Sequence, residues 1–172
     1  MNIFYLDRDP ARCAAMHCDK HVVKMILEYA QLLSTAHRVL DGDQNADSQG
    51  FYKATHKNHP SAVWVRESWA HYVKLHKILE HLLDHYQSRY KKAHKVQSSG
   101  LWWKLRFYPQ NIPVNGFTDP PQCMPDYCKS DDTVIGYRNY YIREKSYMAK
   151  WKNGNVPNWY IIGMAAELKE VA

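Results

Sequence analysis

Glycine and proline are scarce, 7 and 8 in 172 residues. Ordinary usage is ~12% for the two together, so collagen-like and low-complexity classes are excluded. Cysteine is scarcer still, and four in a chain of this length do not make a disulfide scaffold. Long apolar runs are missing too. Lys24 interrupts the best early stretch, and a bilayer span needs ~18 or more apolar residues, so no membrane partner is expected. The opening MNIFYLDRDP lacks a charged-then-apolar signal pattern, which predicts an intracellular, cytoplasmic protein. Negative charge is also the minority sign: 17 Asp and Glu against 23 Lys and Arg leave +6, with ten His that can add to it. The chain is rich instead in aromatic side chains, with 13 Tyr and 6 Trp. A positive field attracts polyanions, and flat rings offer surfaces on which bases stack. The same rings also build the core of a small domain, and composition leaves both uses open.

The length predicts one domain spanning residues 1–172, burying roughly 70% of the unfolded surface. Ile3-Phe4-Tyr5-Leu6 is long enough only for an extended segment. Residues 17–40 carry good helix formers without Gly or Pro and stop at Asp41-Gly42, which predicts a long helix. Residues 41–50 read as a polar loop. A second long helix is predicted from Ser61 to about Ala93, with Pro60 in its first turn. Leu101–Phe107 fits a helical turn or a strand equally. Five prolines between Pro109 and Pro125 leave an irregular connection. Ser130-Asp131-Asp132 caps a third long helix ending near Trp151, and a short final helix begins near Pro157. The expected fold class is all-α: a compact single domain of three long helices, short accessory helices and a Pro-rich connection.

On the first long helix, positions 17, 21, 24, 28, 31 and 35 fall within about 80° of one another. They hold His17, His21, Lys24, Glu28, Gln31 and Thr35, while most of the remaining circumference is apolar. Two readings fit this stripe. It is a solvent-facing strip with Lys24–Glu28 as a surface pair, or a narrow groove whose apolar walls prepare Glu28 for proton transfer. A metal site is a third use, since His17 and His21 lie one turn apart near Cys13 and Cys18. However, Cys13/Cys18 and Cys123/Cys128 are both spaced C-x4-C, looser than a zinc knuckle, and buried free thiols account for them. No metal and no cofactor are expected.

Asp19-Lys20-His21 with Glu28 forms D-x-H-x6-E on a first long helix. Pro157-Asn158-Trp159-Tyr160 forms a P-x-W-Y tail, with Glu144-Lys145 upstream. This arrangement resembles the phage pyrimidine-dimer DNA glycosylase family of the endonuclease V type. The resemblance implies an all-α, cofactor-free enzyme that binds DNA and breaks the N-glycosidic bond at a damaged or modified pyrimidine. It further implies attack of the N-terminal α-amine on sugar C1′, a Schiff base, and β-elimination, with Glu28 protonating and positioning groups on the sugar. An α-amine, with a reference pKa near ~8, keeps an appreciable neutral fraction at pH 7. Asn2 is bulky enough to leave the initiator in place, so the amine is that of Met1. The family's arginines beside and three residues after the glutamate are Leu27 and Gln31 here. Catalytic candidates are therefore Glu28, Met1, Asn2 and His21, with Lys24 and Gln31 as ligand contacts. A nucleotide-binding module or small-nucleotide hydrolase using the same groove is the alternative, and an inert partner-binding domain a third reading.

Two further regions suit a DNA or nucleotide ligand. Trp102, Trp103, Lys104 and Arg106 interleave rings with cations before Phe107-Tyr108, and Arg138 and Tyr141 repeat that chemistry on the third helix. Trp159 and Tyr160 belong to the aromatic tail. Lys57 and His59 precede the second long helix, where Asn58-His59-Pro60-Ser61 is a helix-start signal first and a donor cluster second.

Overall fold

The computed structural model describes residues 1–170. Every regular element among them is helical: α1 (Pro10–Met16), α2 (Asp19–Asp41), α3 (Asp43–Gln49), α4 (Pro60–Glu67), α5 (Trp69–Tyr90), α6 (Lys95–Ser98), α7 (Leu101–Lys104), α8 (Thr133–Glu144) and α9 (Asn158–Glu170), with one 3-10 turn at Asp126–Cys128. The all-α expectation is met. No described helix is long and apolar enough to cross a membrane.

Several boundaries differ from the sequence reading, each for a local reason. The first long helix starts at Asp19, because His17 adopts an extended conformation that ends α1. Asp9 caps α1 by accepting from the Arg12 amide, with Pro10 in the first turn. Residues 43–49 form helix α3 instead of a loop. The buried Arg38 guanidinium binds Asp43 and Asp47 and the carbonyls of Phe51 and Tyr52, folding that polar segment back onto α2. The predicted second helix is two. Ser68 is extended (φ −155°, ψ 139°) and caps α5 by accepting from the Ala70 amide, while its hydroxyl donates to Asn115 O. Residues 101–104 are a helical turn, which decides between the two readings of that segment. The third long helix ends at Glu144 and not at Trp151, whose indole turns inward to donate to Met16 O.

One continuous core runs from Ile3 to Tyr160. Helices α1 and α2 pack on α5, α4 lies against both long helices, and α8 pairs with α9. Gly136 sits inside α8, where glycine is about 1 kcal/mol worse than alanine. A Cβ there would overlap Gln122, whose amide both donates to Ser130 O and accepts from Ser130 N.

The extended segment Ile3–Leu6 threads this core, fully or almost fully buried, and places the chain's first residues. With no strand beside it, its polar groups need side-chain partners. The Phe4 amide donates to the Tyr29 hydroxyl, which donates on to His17 Nε2, while His17 Nδ1–H donates to Cys13 O. Arg138 Nε donates to Leu6 O. Residues 1 and 2 emerge from the core under this tether.

Candidate functional site

The α2 stripe is buried at both ends and open in the middle. His17 and Thr35 are inaccessible, and His21 nearly so. Lys24 is exposed, Gln31 is half-buried, and the Glu28 side chain retains 16% of its surface, paired with Lys24 Nζ at 3.2 Å. Val23 and Leu27 also face outward here, 39% and 40% exposed. The polar window is therefore shorter than the sequence pattern implied, because the N-terminal segment and α8 cover its first turn.

His21 lies inside the core and does not face the groove. Its ring packs on Phe4 at 4.1 Å between centroids, tilted by 32°. Tyr141 OH accepts from the Cys18 amide and gives its own proton to His21 Nδ1 at 2.6 Å. Burial, with His17, Lys145 and Lys24 nearby, lowers its pKa to about 2. The ring is neutral near pH 7 and carries its proton on Nε2. Tyr141 is fully buried and presents no surface to a ligand.

Around the window, contacts converge from distant parts of the chain. Asn2 Nδ2 donates to Cys123 O at 2.7 Å, Cys123 Sγ lies 3.9 Å from Ser61 Oγ, and the Ser61 amide donates to His59 Nδ1 at 3.1 Å. The start of α4 is thus held against the chain's start. His59 caps α4 with Nδ1, which leaves its proton on Nε2 when neutral. Burial lowers its pKa first; the Met1 amine lowers it further, whereas the Glu28 carboxylate acts the other way. The amine and the carboxylate therefore both lie within electrostatic reach of one imidazole. Cys123 and Ser61 take part through packing that no motif announces, since they lie 121 and 59 residues from Asn2. Lys145, close enough to act on His21, is held over the Tyr140 ring.

Comparison with known protein families, with curated proteins and with solved structures finds no match to this chain.

The other sequence candidates fall into separate places. Lys57 is exposed on the loop before α4, and its carbonyl accepts from Arg66. Arg138 and Trp159 line an open groove of about 600 Å³ with Arg12, Met16 and Asn158. The Arg138 guanidinium lies 5.4 Å from the Trp159 ring centre and 3.6 Å from Asp7. Tyr160 is buried against Trp151 and has no free face in that groove. Trp102 is half-buried, with its carbonyl bonded to His76, whereas Trp103, Lys104 and Arg106 are exposed near the far end of α2. All four cysteines are free. Among the described residues, no group of three His, Cys, Asp or Glu is arranged to hold a metal ion.

Proposed function

We propose that this protein is an N-glycosylase with β-elimination activity, acting at a modified or damaged pyrimidine in DNA through its N-terminal amine. The observation that carries this reading is the run of contacts that ties Asn2 through Cys123 and Ser61 to His59, an imidazole on which the Met1 amine and Glu28 both act. In its neutral form the amine attacks C1′, and the C1′–N bond breaks as the base leaves with the bonding pair, while the Glu28 carboxylate takes up the proton that the attacking nitrogen sheds. Glu28 then gives that proton to the ring oxygen, opening the sugar to a C1′ iminium. As carboxylate, it then removes a C2′ proton while the 3′ phosphate departs. Lys24 holds the carboxylate in place, and the Nε2–H of His59 is available to the opening sugar. Such an enzyme works in the cytoplasm, that of the host cell if it is phage-encoded.

The test is borohydride reduction with tag-free protein and ultraviolet-irradiated duplex. A covalent protein–DNA adduct is expected, lost on Glu28→Gln and on acetylation of the N-terminus. Absence of an adduct with both irradiated and abasic duplex overturns the reading. Val23 and Leu27 favour a second one. They place exposed apolar surface beside Glu28, where a duplex would call for cations. A small-nucleotide hydrolase using this window would release free base from a nucleotide without any duplex, in the same reaction mixture lacking DNA.

A further inference from the structure

At the opposite end of α2, four elements close around a cleft of 320 Å³. That volume is near the lower end of the ~300–1,000 Å³ range of small-ligand sites and suits one flat ring system with its sugar. The end of α2, helix α3, helix α7 and the start of the Pro-rich connection each contribute. The cleft is held open by bonds that engage three of its lining side chains, Asp41, Lys104 and His37. Both Asp41 carboxylate oxygens accept from the 110–111 turn. Lys104 Nζ donates to Gln49 O at 2.8 Å, tying α7 to α3. His37 anchors the back wall by bonding Tyr72 and Phe107 O, with its ring 4.4 Å from Phe51.

What remains uncommitted has a definite chemistry. Trp103, Phe107 and Tyr108 are each more than half exposed around the cleft. Grouped around one cleft, these three rings offer faces for stacking. The side-chain amides of Asn45, Gln49 and Gln110 line the same cleft and make no hydrogen bond among the described residues. Amides carry a donor and an acceptor side by side, the pattern that matches a base edge. The Arg106 guanidinium, outside the lining itself, lies over two of the lining rings, Trp103 at 3.8 Å and Phe107 at 4.6 Å. It has no ion pair among the described residues, so its N–H fork is held in place and unspent, as a phosphate ligand requires.

We infer that this cleft binds one nucleotide unit, the base stacked on the Trp103 face that Arg106 leaves open and read by the amides, the phosphate held by Arg106 at the cleft's edge. Asp41 lies thirteen residues beyond Glu28 on α2, about 20 Å along the helix axis. The cleft is therefore a second site and cannot hold the base whose sugar lies at the Met1 amine. A free mononucleotide and an unstacked nucleotide of a single strand present the same chemistry to it.

Calorimetric titration with dAMP, with deoxyadenosine and with a short oligodeoxyadenylate tests this. Saturable binding of dAMP or of the oligomer is expected; dAMP binding identifies a free nucleotide, and binding of the oligomer alone identifies a strand. Trp103→Leu weakens either by about tenfold or more, the scale of one base–aromatic stack. Arg106→Gln weakens dAMP but leaves deoxyadenosine unchanged. Both side chains lie at the surface, so the variants keep the wild-type circular dichroism spectrum, and Gln49→Ala gives a third variant free of aromatic change. No binding of either phosphate-bearing probe, or equal affinity in wild type and Trp103→Leu, overturns the inference. The titration uses neither irradiated DNA nor borohydride, so its outcome is independent of the amine chemistry.

Discussion

At the scale of single residues, two parallel relays decide which polar groups are structural. In one, the Phe4 amide donates to Tyr29 OH, which donates to His17. In the other, the Cys18 amide donates to Tyr141 OH, which donates to His21. Each phenol satisfies a buried backbone donor and a buried imidazole at once. Tyr141→Phe leaves His21 Nδ1 buried without a donor, an expected loss of about 1–3 kcal/mol in urea denaturation. Adduct yield per folded molecule is expected to stay at the wild-type level, because His21 acts through packing; a collapse in yield would show that its ring reaches the sugar. The sequence reading selected His21 for its place on a polar stripe. That stripe was legible as a pattern, but its direction was not, since Phe4 and Tyr141, which cover it, come from 17 residues earlier and 120 later. Glu28 and Lys24 sit farther along, beyond that cover, and remain where a ligand can meet them.

At the scale of elements, Ser68 is the clearest case of a helix boundary set from a distance. Its hydroxyl joins the α5 N-terminus to Asn115 in the Pro-rich connection, and Asn115 Nδ2 in turn donates to Glu67 O. Ser68→Ala removes a cap worth about 1 kcal/mol and the part-buried hydrogen bond from its hydroxyl to Asn115 O, worth about as much again. The expected loss is about 2 kcal/mol by thermal denaturation, with Ser68→Thr recovering most of it. Residues 61–90 contain no glycine or proline, so nothing local marks this break. The same holds for α3, whose polar residues suit a loop until the Arg38 guanidinium, 1% exposed, gathers Asp43 and Asp47. Local signals did locate α2, α9 and the start of α8, where Asp132 accepts from the Val134 and Ile135 amides. They failed where a tertiary partner chose the boundary, and for the same reason Cys123 and Ser61 beside Asn2 were not foreseen.

At the scale of the whole molecule, the number of buried imidazoles sets how the protein responds to acid. Burial lowers the pKa of His17 to about 4 and of His21 to about 2, and shifts His37, His71 and His76 in the same direction. Unfolded histidine titrates near ~6.5. Above that pH both states are neutral and the histidines cost nothing. As pH falls below it, the unfolded chain takes up protons that the folded chain refuses, so stability is lost with decreasing pH. Each such imidazole removes up to about 1.4 kcal/mol per pH unit. His17 and His21 alone account for about 2 kcal/mol each between pH 6.5 and 5. Against a global stability of ~5–15 kcal/mol, the urea midpoint is expected to fall steeply over that interval. Net charge offers a rival cause, because a chain already at +6 gains repulsion as its accessible histidines protonate. Salt separates the two. Repulsion between surface charges is screened within a Debye length of ~10 Å at 0.1 M, whereas the cost of hydrating or burying an imidazole is not. Raising the salt concentration at pH 5 is expected to leave most of the lost stability unrecovered; full recovery would assign the acid sensitivity to surface charge and remove the buried histidines from the account.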